Sequence, residues 1–104
     1  MMKKCTANDL KAFFTESEGR SRLDLSNIQV EKVNMTGWSL EKVDFSYSIF
    51  EHCSFNDVTL EQSSIENALF VECKFHRTNF KKANMRGATF RDCEKGTGWF
   101  RISR

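Results

Sequence analysis

The residues best suited to chemistry are four cysteines and two histidines, and their spacing limits what they can do. Cys53, Cys73 and Cys93 recur at intervals of twenty, with Cys5 far upstream. A structural zinc site draws four ligands into a tetrahedron, usually from closely spaced pairs, and single cysteines twenty apart do not supply that geometry. Four cysteines can also form a secreted disulfide framework, so their placement on the backbone has to be settled first. The sequence holds no glycine-rich phosphate loop, no Ser/His/Asp set and no carboxylate pair facing a cleft. No catalytic residue, metal ligand or cofactor site follows from it.

The element that positions these residues is a repeat. From Leu25 through Val30, Met35 and on to Phe90, every fifth residue is large and apolar, fourteen in succession. At a 39% hydrophobic share, chance would produce such a run with a probability on the order of one in 10⁵. Two residues before each of these lies a second inward column, which from Ser48 onward is mostly small. Alternating steps of two and three match neither a helix nor an uninterrupted strand. The two-residue step keeps both side chains on one face of a strand, and the three-residue step turns the chain through a corner. At a period of twenty the columns align as Cys53, Cys73, Cys93, as Ser48, Ala68, Ala88 and as Phe50, Phe70, Phe90, so four pentads make one coil.

Ala83-Asn84-Met85-Arg86-Gly87, Ala88-Thr89-Phe90-Arg91-Asp92 and Val43-Asp44-Phe45-Ser46-Tyr47 resemble the motif of the pentapeptide-repeat family. That motif is a small residue, then Asp/Asn/Ser/Thr, then Leu or Phe, then two polar residues. The resemblance implies an all-β fold, a right-handed quadrilateral parallel β-helix of about 3.5 coils and about 17 Å in height at the ordinary inter-strand spacing. Phenylalanine, present ten times, fills the axis. Leu23, Ile28, Val33 and Trp38 are too large for ordinary corners, and a wider or irregular first coil is expected there. The cysteine column becomes a row of buried small corner residues, whose parallel side chains do not cross as a disulfide requires. Cys5, outside the repeats, reads as an incidental thiol, while His52 and His76 fall on outward positions of different faces.

A solenoid has two open ends that need covering. Residues 1–22 are read as a capping helix and its connection, 23–93 as the solenoid and 94–104 as an aromatic tail. Thr6-Ala7-Asn8-Asp9 resembles a capping box, and Leu10, Phe13 and Phe14 follow at helical spacing, so a helix over about residues 7 to 16 is expected. At the other end, Trp99, Phe100 and Ile102 follow two glycines. They read either as a cap on the last coil or as a homodimer contact, since similar proteins often pair through their C-terminal ends.

No apolar run approaches the roughly 20 residues of a membrane helix, and no apolar stretch follows the basic start. With free thiols, that reads as a cytoplasmic protein without membrane contact. The formal net charge of +2 hides a polarity: residues 1–72 sum to −5 and residues 73–104 to +7. Lys74, Arg77, Lys81, Lys82, Arg86 and Arg91 lie outward on the last coils. No aromatic interleaves them on the outside, which argues against nucleic acid as a partner.

On the face centred on Val30, Phe50, Phe70 and Phe90, outward positions include Ile49, Leu69 and Val71, with Tyr47 at the preceding corner. Ile49 and Leu69 should stack in adjacent coils as an apolar patch for a protein partner. The expected function is a non-enzymatic interaction module with rigid flat faces. The alternative comes from relatives that mimic duplex DNA and modulate or protect DNA gyrase. A rod half the length of one duplex turn of about 34 Å, basic at one end, matches that surface poorly.

Overall fold

A chain that returns a large apolar side chain to the interior at every fifth residue has to change direction once per pentad. The computed structural model, which describes residues 2–16 and 22–96, shows how the turn is made. Two residues after each central apolar residue, from Asn27 to Asp92, the backbone enters the left-handed region, with φ between 51° and 79°. Twelve of these fourteen positions hold residues other than glycine, a conformation that ordinarily costs about 1–2 kcal/mol per residue. The inter-coil ladder offsets that cost. The left-handed residue donates its N–H to the coil beyond, as in Tyr47 N to Glu66 O at 2.9 Å and Asn67 N to Arg86 O at 2.8 Å. At Gly87, φ is 73° and a Cβ would come within 2.2 Å of Asn67 Oδ1, so glycine there also makes room for the asparagine of the coil before it.

The result is the expected right-handed quadrilateral β-helix, of about four coils. Its longest face is a five-stranded parallel sheet in the order β1 (Lys3–Cys5), β3 (Ile28–Glu31), β5 (Ile49–Glu51), β6 (Leu69–Val71) and β8 (Thr89–Arg91). The register is Val30↔Phe50↔Phe70↔Phe90, a shift of twenty residues per coil. The same shift holds elsewhere: β2 (Leu23–Asp24) pairs with β4 (Val43–Asp44), and β7 (Lys74–Phe75) with β9 (Glu94–Lys95). Single bridges such as Ser39↔Thr59↔Asn79 complete the other faces.

Phenylalanine forms two interlocked stacks in the core. Phe50, Phe70 and Phe90 lie ring over ring at 5.0 and 4.9 Å, and Phe55 lies over Phe75 at 5.0 Å. The stacks meet edge to face, as in Phe55–Phe70 at 5.6 Å and Phe70–Phe75 at 5.4 Å. Both geometries suit the ring quadrupole, and the stacking distance is the inter-strand spacing itself.

The small corner residues do more than save space. Where the next coil has alanine or valine at the corner, the turn closes on its own backbone. Ser48 N donates to Phe45 O at 3.2 Å beside Ala68, and Trp38 N to Met35 O at 2.9 Å beside Val58. Where the next coil has serine or cysteine, that side chain enters the turn and bridges it. Ile28 N donates to Ser48 Oγ, which donates to Leu25 O, both at 3.1 Å. Ser63 bridges Val43 N and Leu40 O in the same manner. Cys73 N likewise donates to Cys93 Sγ, which donates to Phe70 O, both at 3.4 Å. Ser48 and Ser63 are thus buried without loss, and among the described residues no buried side-chain nitrogen or oxygen lacks a partner.

At the N-terminal end, helix α1 (Ala7–Glu16) starts in a reciprocal capping box. Thr6 N–H donates to Asp9 Oδ2 at 2.9 Å, and Asp9 N–H donates to Thr6 Oγ1 at 3.1 Å. The Thr6 N–H, and after it the Thr6 hydroxyl, hydrogen-bond the Asp9 carboxyl and hold it below its ordinary range. Leu10 is fully buried, and Phe14 meets the Trp38 ring edge-on at 6.0 Å.

Two expectations are corrected here. The first coil is not irregular: it keeps the twenty-residue register, with Leu23 opposite Val43. Its large corner residues fit because no coil precedes it, and the space a coil would take is filled by α1 and β1; Leu23 and Trp38 pack partly buried against the core. Cys5 is not an incidental thiol. It is 5% exposed and sits opposite Val30, in a strand that extends the sheet by one beyond the repeats. Trp99, Phe100 and Ile102 lie outside the described residues.

Candidate interaction surface

The long face displays two outward columns separated by the buried centre of each strand. One runs Lys4, Gln29, Ile49, Leu69, Thr89 and the other Glu31, Glu51, Val71, Arg91, as the strand register requires. Ile49 and Leu69 are therefore direct neighbours across β5 and β6. Val71 stands between Glu51 and Arg91. All three apolar residues are half-buried by the ladder around them, whereas Tyr47 is 55% exposed, on a left-handed corner with φ of 63°. Gln29 Nε2 donates to Glu51 Oε1 at 3.2 Å, which ties the acidic column to the apolar one.

The six basic residues of the last coils do not converge. Arg77 makes a two-pronged contact with Asp57, Nε to Oδ1 at 2.6 Å and Nη2 to Oδ2 at 2.9 Å, and its hydrogen bonds hold the Asp57 carboxyl below its ordinary range. Lys74 Nζ lies 3.9 Å from Glu94. Lys81 and Lys82 follow Phe80, Arg86 follows Met85 and Arg91 follows Phe90, so these exposed cations are spread over three faces. The histidines also take separate partners, His52 beside Glu72 at 3.8 Å and His76 beside Glu94 at 3.4 Å.

Cys53, Cys73 and Cys93 occupy one corner column, and all four cysteines are free thiols. A hydrogen bond with Cys53, together with burial, pushes the Cys73 thiol far above its ordinary value, and burial raises Cys93 as well. Access decides reactivity here: Cys53 and Cys73 are buried and Cys93 is half-buried, so a thiol reagent should modify Cys93 of native protein faster than the other two members of the column. Denaturant should expose the rest, and equal native rates at Cys73 and Cys93 would contradict this packing. Among the described residues, no group of three or more His, Cys, Asp or Glu could hold a metal ion, and no helix is long and apolar enough to cross a membrane. A surface depression of about 480 Å³ lies along the cysteine corner, lined in part by Lys32, His52, Ser54, Glu72 and Lys74.

Sequence reasoning overlooked the column of left-handed corner residues that carries Tyr47. Its signal is present: Asn27, Gly37, Asp57, Asn67, Gly87 and Asp92, types that favour positive φ, all fall in that one register.

A parallel solenoid with a filled core and functional groups only on its outer faces defines a class of repeat protein. A family model described as a pentapeptide repeat region matches residues 43–97. The chain belongs to the pentapeptide-repeat family. A comparison with curated proteins finds no match.

Proposed function

We propose that this chain is a non-enzymatic protein-interaction module that presents its long flat face to a macromolecular partner. The observation that carries this reading is the adjacency of Ile49 and Leu69 across β5 and β6, with Val71 two residues further along β6 and Tyr47 exposed at the corner. An outward apolar cluster on a rigid sheet has no packing role inside the chain, and exposed apolar patches mark contact sites. Rigidity favours recognition, because little conformational entropy is lost when the face is covered.

The test is the double variant Ile49→Asp, Leu69→Asp. Both side chains point away from the core, so circular dichroism should match wild type. Association with protein partners, read by affinity capture from lysate against the same variant, should fall at least tenfold. An unchanged set of captured proteins, with self-association of the chain also unchanged, would sink the assignment of this face.

A further inference from the structure

We propose that the partner which fits the long face is a second copy of this chain, packed face to face with its solenoid axis reversed. The inference rests on reading that face as an interaction surface, and it follows from the order of charges along the coils. Consider a two-fold axis running parallel to the strands between β5 and β6. It reverses the order of the coils and leaves each outward column opposite itself. In the first column, Ile49 meets Leu69 of the second copy, and Leu69 meets its Ile49. Gln29 meets Thr89. In the other column, which reads Glu31, Glu51, Val71, Arg91, reversal sets Glu31 opposite Arg91 at both ends of the contact. Glu51 falls opposite Val71 and retains its hydrogen bond from Gln29.

The corner column next to it behaves the same way. It reads Lys32, His52, Glu72, Asp92, so reversal places Lys32 opposite Asp92 and His52 opposite Glu72. On the other margin Tyr47 meets Asn67, a phenol beside an amide. Each pairing is either apolar with apolar or donor with acceptor, apart from Glu51 with Val71. The charge polarity of the chain, −5 over residues 1–72 and +7 over 73–104, has the same sense and steers the second copy into the reversed orientation.

Running the axes in the same direction does not work. A two-fold along the solenoid axis would set each column against the other, with Ile49 on Glu51 and Thr89 on Arg91. That desolvates charged groups without a counter-charge. Among the described residues neither Glu31 nor Arg91 has an ion-pair partner in its own chain, and both are exposed. The reversed packing supplies each with the other. One face of three-residue strands is smaller than the standard contact of about 800 Å² per partner, so dissociation constants on the order of 10–100 µM are expected.

The pairing of Glu31 with Arg91 makes the test a mixing experiment, read by sedimentation equilibrium. Wild type should dimerise. Arg91→Glu alone and Glu31→Arg alone each put like charges at both ends and should shift the dissociation constant at least tenfold toward monomer. An equal mixture of the two variants restores opposite charges at both ends and should form the heterodimer at close to wild-type affinity. A dimer insensitive to either variant, or a mixture that stays monomeric, overturns the packing. Wild type monomeric up to about 1 mM overturns the dimer as well. In that case, lysate proteins lost by Ile49→Asp, Leu69→Asp would still support the interaction surface, and their retention would remove both.

Discussion

Phe70→Ala should lower the unfolding free energy by about 3–5 kcal/mol, a large share of what a domain of this size has. Phe70 is fully buried and is the middle ring of the Phe50–Phe70–Phe90 stack. It also meets Phe55 and Phe75 edge to face, so its removal opens a void between both stacks. The backbone cannot collapse into that void, because the twenty-residue ladder fixes the coil spacing on either side. In urea, where slopes run at about 1–3 kcal/mol/M, the midpoint should fall by at least about 1 M. Phe70→Leu, which keeps most of the volume, should cost much less. A fall of less than about 1 kcal/mol for the alanine variant would mean that the stack is not the stabilising core described here.

Leu10→Ala should cost about 2–5 kcal/mol, and the loss should show in a different place. Leu10 is the fully buried contact of α1, and the helix covers the first coil through it and the Phe14–Trp38 edge contact. Each coil of a solenoid touches only its neighbours, so damage at one end frays that end first. Amide exchange should accelerate in α1, β1 and the first coil, while β6 and β8 stay protected. Uniform acceleration along the whole chain would mean that the cap and the solenoid unfold as one unit.

These two results also separate what could be read in the residue order from what could not. The solenoid was legible because its contacts repeat. A side chain that stacks on its copy twenty residues away leaves the same type in the same column, and Phe50, Phe70 and Phe90 record that directly. The capping box of Thr6 and Asp9 was legible because its two hydrogen bonds are local, three residues apart. The strand at Lys3–Cys5 was not. Three residues carry no periodicity, and their partner, Ile28–Val30, lies beyond an intervening helix. The open edge of the first coil recruits them, and that edge exists only once the coil has formed. Large corner residues in the first coil were legible as an anomaly, but their accommodation depends on what stands above them.

The sequence by itself determined the winding, the filled core and the columns of the outer faces, because in a repeat fold each is a periodic property of the chain. It also placed Ile49 beside Leu69, since a column follows from the period alone. The tertiary structure decided how each corner is made. Serine or cysteine opens the turn of the coil before it, while alanine or valine lets the turn close, since a hydroxyl or thiol carries both a donor and an acceptor for the two backbone groups that the turn separates. It alone joined Cys5 to the long face. Pairing across coils is fixed by hydrogen bonds between segments that are distant in the chain, and only the folded backbone brings them together.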